Sequence, residues 1–346
     1  MNEKNSVAIQ DVARVAGVSV STVSRVLNDR PDVAEGTRQR VKSVIAQLGY
    51  APYVQTADRA DRRTLAITMH YPMYNPGAIV SDSHPTGFFG GIGQAVREEN
   101  IHLHTITTKL SADELLTACR EQQIDGVILL EIVQQDWRVD LLREQGIPFV
   151  MVGQQADNTG LSFVDVDHFV YMHRAFEYLI ELGHREIAFL NYSDQKLQEG
   201  FNPAVQSLQA YTGLCRQHQI TPIHRGVSFD PQTTQHTALS MLTDHPAITA
   251  VITAFSAGAS GCMQALYQLN RRVPEDVSII TTLATNHEAD MLVPSLSALN
   301  FPNYEMGYRA ARMLIDRLCG DQTGVEQILF APQLIVRQST GSPRQQ

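Results

Sequence analysis

Residues Ile9–Asn28 read IQDVARVAGVSVSTVSRVLN, and this stretch decides how the front of the chain folds. Ile9, Val12 and Ala13 share one helical face with Ala16 closing the turn, and Val23, Val26 and Leu27 share another a few residues on. Between them Ala16-Gly17-Val18-Ser19 makes a tight connection. Gly17 can take a positive φ, and Ser19 offers a side-chain oxygen to the unpaired N–H groups that open the second helix. Two such short helices cannot enclose a core alone, so a third must follow. The pattern predicts a helix-turn-helix whose second helix starts near Val20. The outer face of that helix carries Ser21, Thr22, Ser24, Arg25 and Asn28, groups suited to phosphates and base edges. An ordinary solvated helix pair would show the same face, so the rest of the chain has to decide between the two.

The third helix is expected at Glu35–Leu48, where Val41, Val44, Ile45 and Leu48 form one stripe and Gly49 stops the run. Tyr50-Ala51-Pro52 then leads into VQTADRADRR, a polar segment that cannot bury a face of its own. It reads as a linker, or as a helix that forms only against a partner. Residues 1–63 hold ten basic against seven acidic side chains, a net +3, which leaves −12 for the rest of a chain of net charge −9. A small basic module on a large acidic body fits a nucleic-acid reader attached to something else.

From Leu65 the texture changes to strands alternating with helices. Strands are expected at Leu65–His70, His102–Thr107, Val127–Leu130, Phe149–Val152, Phe163–Val166, Ile187–Leu190, Ala250–Thr253 and Val277–Thr281. Helical patterns fall between most of them, at Phe89–Glu99, Ala112–Gln122, Val170–Leu182, Val205–Gln217 and Ala257–Leu269. Such alternation means parallel sheets covered on both faces, and this many strands suit two doubly wound lobes, with ligands gathering at the strand C-terminal ends.

These residues carry a resemblance. DVARVAGVSVSTVSRVLN, VAEGTRQRV at 33–41 and LGYAP at 48–52 resemble the DNA-binding domain of the LacI/GalR family of bacterial transcription regulators. Three later blocks are similar to that family in the same order: VDVDHFVYMHRAFEYLIELGHREIAFL at 164–190, RRVPEDVSIIT at 271–281, and Pro294–Leu314, where the chain returns to its first lobe. The resemblance implies a small all-α helix-turn-helix headpiece joined to an α/β periplasmic-binding-protein-like domain of two doubly wound parallel-sheet lobes. The expected boundaries are 1–50 for the headpiece, 51–63 for a hinge and 64–346 for the effector-binding and dimerisation domain. It further implies a homodimer on a pseudo-palindromic double-stranded operator, with a small-molecule effector, a sugar or glycoside, in the cleft between the lobes. Val20, Ser21 and Arg25 take base-reading positions, with Arg25 matched to a guanine, and Ser19, Thr22, Asn28 and Thr37 take phosphate positions.

Two departures from the family stand out. The segment after Tyr53 is expected to enter the minor groove with a leucine, but that position falls at Arg59, and no leucine lies between Pro52 and Leu65. An arginine cannot wedge a base step apart, though it can enter a narrow groove, so a weaker kink or an A·T-rich operator centre is expected. In the cleft, Phe255-Ser256 and Leu283-Ala284 stand where sugar-binding members carry asparagine and aspartate, and the loop NYSDQKLQEGFNPAVQ lacks the usual arginine. A more apolar cleft is expected, with Phe229 kept as a stacking aromatic. The effector candidates are Tyr71, Glu131, Asn202, Phe229, Ser256 and Asn286, with Tyr74, Asp82, His84 and Gln154 as weaker ones from loop position.

Other features point elsewhere or nowhere. Gly91 and Gly93 in GFFGGIGQA lack the full dinucleotide spacing and read as close helix–strand packing. Cys119, Cys215, Cys262 and Cys319 form no CxxC and are expected to be reduced, buried thiols. Trp137 is expected to pack on its own helix. No cofactor motif, metal set or catalytic constellation stands out, and no apolar run approaches a membrane span. The expected protein is a cytoplasmic transcription regulator, a repressor of a catabolic operon. The alternative is a cytosolic small-molecule-binding protein or enzyme with a vestigial headpiece.

Overall fold

The computed structural model describes residues 9–27, 33–48, 65–72, 84–320 and 324–344. The headpiece holds α1 (Ile9–Ala16), α2 (Val20–Leu27) and α3 (Glu35–Leu48), at the limits its periodicity predicts. Gly17 takes φ +65°, the left-handed turn that a Cβ would strain, and Ser19 Oγ accepts from the Thr22 N–H at 3.2 Å. Val12, Ala13, Ala16, Val23, Val26, Val41 and Val44 form the core of this three-helix unit. Tyr53, Arg59, Asn28, Tyr74 and Asp82 lie outside the described residues.

The body contains two six-stranded sheets. The first lobe orders its strands β11-β5-β4-β3-β1-β2, all parallel, from β1 (Ala66–His70), β2 (His102–Ile106), β3 (Gly126–Leu129), β4 (Phe149–Val152), β5 (Phe163–Val166) and β11 (Gln327–Phe330). The second orders β12-β10-β9-β8-β6-β7, from β6 (Ile187–Tyr192), β7 (Ile223–Val227), β8 (Ala250–Thr253), β9 (Ser278–Ala284), β10 (Ser297–Asn300) and β12 (Leu334–Ile335). Only the β10–β12 pair in it is antiparallel. Most strands are buried throughout, as sheets covered on both faces require, whereas β2, β7 and β11 sit at or near the edges and are partly exposed. The expected strands are present, and β7, β10, β11 and β12 are additional. Their residues (IHRGV, SALN, QILF and LI) are short or mixed, so no run of period two marks them.

The chain crosses between lobes three times: from β5 into α7 (His168–Glu181), from β10 into α13 (Asn303–Cys319), and from β11 into β12. Tyr171 ties the crossings together, its hydroxyl lying 3.1 Å from Asn300 O and 3.4 Å from Ala331 O. At the far end of the second lobe His184 is buried, with Nδ1 2.9 Å from Thr249 Oγ1 and Nε2 2.9 Å from Gly341 O, which pins the C-terminal tail to the sheet.

Two expectations change here. α4 begins at His84, five residues before the periodic stretch, so the loop after β1 is shorter than expected and His84 belongs to the helix. The glycines of GFFGGIGQA serve helix–helix rather than helix–strand packing. A Cβ on Gly91 would lie 2.0 Å from Tyr304 O, and one on Gly307 of α13 would lie 2.4 Å from Phe88 O, while nothing lies within 4 Å of one on Gly93. α4 and α13 therefore cross almost backbone to backbone. Cys119, Cys215 and Cys262 are buried free thiols, but Cys319, at the end of α13, is exposed.

Candidate functional site

Two surfaces can bind a partner. The first is α2. Val23 and Val26 turn into the headpiece core, which leaves Val20 (42% exposed), Ser21 and Arg25 facing outward. Ser19 Oγ is also exposed and lies 2.7 Å from Ser21 Oγ and 2.8 Å from Thr22 Oγ1, so three hydroxyls cluster at the start of the helix. Thr37, in the first turn of α3, is half-buried. The arrangement offers one guanidinium, hydroxyl donors and an apolar contact within a single helix, the set that reads a DNA groove.

The second surface is the cleft between the lobes. Its mouth is organised by a buried ion pair on the first lobe. Asp136 caps α6 (Trp137–Gln145) and takes two hydrogen bonds from the Arg138 guanidinium, at 2.8 and 2.6 Å. Arg138 also donates to Leu130 O at 2.9 Å and Glu131 O at 3.1 Å, which fixes the turn after β3, where Glu131 adopts φ +56°. Beside this cation the buried His70 imidazole is held down at about 4, chiefly by burial and then by the charge of Arg138. The same turn meets the second lobe directly. Gln134 N–H donates to Gly200 O at 2.8 Å, Asn202 N–H to Ile132 O at 3.2 Å, and Val133 and Phe201 form an antiparallel bridge. Two ion pairs flank the bridge, Glu131 with Lys196 and Lys109 with Glu199 at 3.6 Å. Trp137 stands 42% exposed at this mouth instead of packing away on its helix.

Behind the mouth lies a cavity of about 70 Å³ lined from both lobes and from the crossings. Its second-lobe wall is aromatic: Tyr192 packs on Phe201 at 5.1 Å between ring centroids and on Phe255 at 5.2 Å, and Phe229 packs on Phe255 at 4.3 Å. Phe88 and Phe301, edge to face at 5.7 Å, close the other side. The first lobe and the crossing helix contribute Asp165 and His168, 4% and 3% exposed. Asp165 accepts from Gln154 Nε2 at 3.1 Å and from its neighbour Val166 N–H at 2.8 Å. Burial pushes its carboxyl up to about 7 and holds the His168 imidazole down at about 4. His168 Nε2 lies 3.7 Å from Asp165 Oδ1 and has no hydrogen-bond partner among the described residues.

Of the expected effector residues, Tyr71, Glu131 and Phe229 line this cavity. Glu131 is already engaged by Lys196. Asn202 is buried beside the cavity at the start of α9 (Asn202–Gln217), between the lining residues Phe201 and Pro203. Ser256 turns instead to Glu288 Oε1 at 3.0 Å, and Asn286 to the Arg337 guanidinium at 3.0 Å, so neither lines it. Both follow strands whose ends reach the cleft, but each opens a helix and bonds a polar side chain beside it. Tyr192, Phe201, Asp165 and His168 carry no family expectation. The apolar character was expected from Phe255-Ser256 and Leu283-Ala284, with Phe229 as its aromatic, and Leu283 and Phe229 are in the lining.

The chain is similar to known regulators over nearly its full length. A family described as bacterial regulatory proteins, lacI family, matches residues 8–53, and a periplasmic binding protein-like domain matches residues 176–340. The HTH-type transcriptional regulator CelR of Thermobifida fusca is 29% identical, the match covering 98% of this chain and 100% of that one. The HTH-type transcriptional repressor PurR of Haemophilus influenzae is 28% identical, covering 96% of this chain and 98% of that one. Among solved structures, the transcriptional regulator CelR–cellobiose complex matches with a TM-score of 0.72 at 27% identity, covering 96% and 99% of the two chains. The lac repressor dimer bound to operator and the anti-inducer ONPF matches with a TM-score of 0.70 at 22% identity over 97% and 100%, a likeness of fold.

Proposed function

Because this chain belongs to the LacI family of bacterial regulatory proteins, with a helix-turn-helix headpiece ahead of a two-lobed periplasmic-binding-protein-like body, we propose that it represses a catabolic operon for carbohydrate or glycoside use. It acts as a homodimer in the cytoplasm, each headpiece on one half of a pseudo-palindromic operator. The observation that carries this reading is α2, whose inward valines leave Val20, Ser21 and Arg25 outward on one helix face. Those three contact bases, and Ser19, Thr22, Asn28 and Thr37 contact phosphates. Tyr53 and Arg59 belong to the hinge, and Arg59 enters a narrow A·T-rich minor groove at the operator centre. An effector in the cleft prefers one spacing of the lobes, and through that preference it shifts the pair of headpieces into or out of register with the operator. The solved CelR relative is a cellobiose complex, which supports a small-molecule effector here. The relatives are regulators rather than enzymes, which supports binding as the whole activity.

Fluorescence anisotropy on operator-like palindromes across a salt series tests it. A steep fall of log affinity with log salt is expected, since phosphate contacts release counterions. Arg25→Ala is expected to lose about 1–3 kcal/mol and to relax discrimination at one base pair of each half-site. Weak binding that ignores both sequence and salt would overturn the proposal. Replacing a central A·T step by C·G weakens binding if Arg59 has the role given to it.

A further inference from the structure

The interlobe cavity is largely apolar: besides the phenol hydroxyls of Tyr71 and Tyr192 and the carboxylate of Glu131, its polar lining is one built, buried pair. Aromatic rings and aliphatic side chains form most of its wall, and Glu131, the acid at its edge, is neutralised by Lys196. The buried pair is Asp165 and His168. Both side chains are more than nine-tenths buried, and both line the cavity. Their nearest polar atoms stand 3.7 Å apart, too far to bond each other and close enough for one hydroxyl to reach both. His168 Nε2 has no partner among the described residues, an unpaired group that in a folded interior marks a place for a ligand or water.

We propose that this cavity takes a compact, uncharged hydroxyarene, a single aromatic ring bearing a hydroxyl that bridges Asp165 and His168. The inference rests on the reading of the cleft as the effector site and adds the chemistry of the effector. A polyol such as a sugar brings several hydroxyls, and each one buried against Phe88, Phe201 or Phe229 without a partner loses the hydrogen bonds it had in water. A ring with one hydroxyl presents apolar faces to those side chains and its polar group to the Asp165–His168 pair. Burial holds the Asp165 carboxyl near neutrality and the His168 imidazole uncharged, which suits a neutral ligand over an ion. A cavity of about 70 Å³ is smaller than one that holds a benzene ring, so the lobes must part for any effector, and they part less for one ring than for a disaccharide.

Titration calorimetry of the full chain with 4-methylphenol, toluene, glucose and cellobiose decides the class. The expected result is binding of 4-methylphenol at least tenfold tighter than toluene, which has the same ring without the hydroxyl, and no heat from either sugar. Asp165→Asn and His168→Leu are expected to narrow the gap between 4-methylphenol and toluene to within threefold, because the hydroxyl then has half its site. Either sugar binding more tightly than 4-methylphenol, no binding of 4-methylphenol, or an unchanged gap in both variants would overturn the proposal. Should a variant fail to fold, the four-ligand comparison on the unaltered chain still decides. Operator binding measured on the same preparation separates the two readings. If operator affinity is absent while 4-methylphenol binds, the regulator fails and the ligand class stands.

Discussion

Val20, Ser21 and Arg25 face outward from α2 because Val23 and Val26 of the same helix face inward. The cavity between the lobes is assembled from stretches spread between Tyr71 and Met306, and most residues that line it also belong to a strand end, a helix or a crossing. On α2 the residues proposed to recognise DNA and the residues that fold are different ones. In the cavity they are largely the same. A substitution on the outer face of α2 should therefore change binding and leave stability alone, while one in or around the cavity should change both. The headpiece has the opposite weakness: its core is a handful of valines and alanines, so it has little stability to lose.

The largest effect that sharpens this contrast lies at the cleft mouth. Arg138 and Asp136 have side chains only 5% and 1% exposed, and Arg138 holds the Leu130 and Glu131 carbonyls. Asp136→Ala leaves that guanidinium buried without its counterion and removes the cap of α6, and is expected to destabilise the body by about 3–5 kcal/mol. Chemical denaturation followed by circular dichroism measures it. The effect should fall on the body's transition, and a loss below about 1 kcal/mol would show that water reaches Arg138 freely.

The next effect breaks the contrast from the other side. Val23 is fully buried in the headpiece. Val23→Ala removes two methyl groups from that small core, at an expected cost of about 2 kcal/mol. In a unit of this size such a loss is enough to unfold a large fraction of headpieces, so operator affinity should drop while the body's melting temperature and its ligand binding stay unchanged. Matched loss in the body would mean that the two units fold as one.

A smaller effect concerns acid. His70 and His168 are held near 4, below the usual 6.5, so between those values the unfolded chain binds protons more readily than the folded one. Both therefore withdraw stability as pH falls through that window. Asp165 works in reverse: its carboxyl is raised from 3.8 to about 7, so the folded state takes up its proton first and gains stability as pH falls from 7 toward 4. In Asp165→Asn the opposing gain is gone. Its melting temperature is expected to fall more steeply between pH 7 and pH 5 than that of the unaltered chain, and parallel curves would place the Asp165 carboxyl in water.

The same contrast explains what could be read without coordinates. The headpiece was legible to the residue, because Gly17, Ser19 and the valine spacing act on neighbours in sequence, and α1, α2 and α3 fall where that spacing puts them. The sheets were legible as fold because buried parallel strands leave continuous apolar runs, and the missed β7, β10, β11 and β12 are edge or short strands without them. The cavity was legible only at Tyr71, Glu131 and Phe229. Tyr192 and Phe201 join Phe229 through the order of strands β6, β8 and β7, and Asp165 meets His168 because the chain crosses lobes between them. Neither fact is local. Ser256 and Asn286 lie outside this lining, since following the right strand does not settle which way a side chain turns at the start of a helix.

The smallest effect tests whether the cleft is held shut by its own residues as well as by a ligand. Lys196 and Glu131 join opposite lobes with side chains 16% and 18% exposed, and Lys196 also lies 4.6 Å over the Phe201 ring. A pair at the rim of the mouth, less buried than Arg138–Asp136, contributes about 1 kcal/mol to stability, so Lys196→Ala should lower the body's melting temperature by about 2–4 °C. Its effect on the spacing of the lobes should be larger in proportion, because it is one of two ion pairs that flank the Val133–Phe201 bridge and the Gln134–Gly200 and Asn202–Ile132 backbone hydrogen bonds across the mouth. Trp137 is the only tryptophan in the chain and lines the mouth beside Lys196, so its emission reports opening. A red shift is expected in Lys196→Ala and in Glu131→Gln, and no further shift in the double variant, since each removes the same pair. Additive shifts would mean that the two side chains hold the mouth through separate contacts, Lys196 through the Phe201 ring rather than through Glu131.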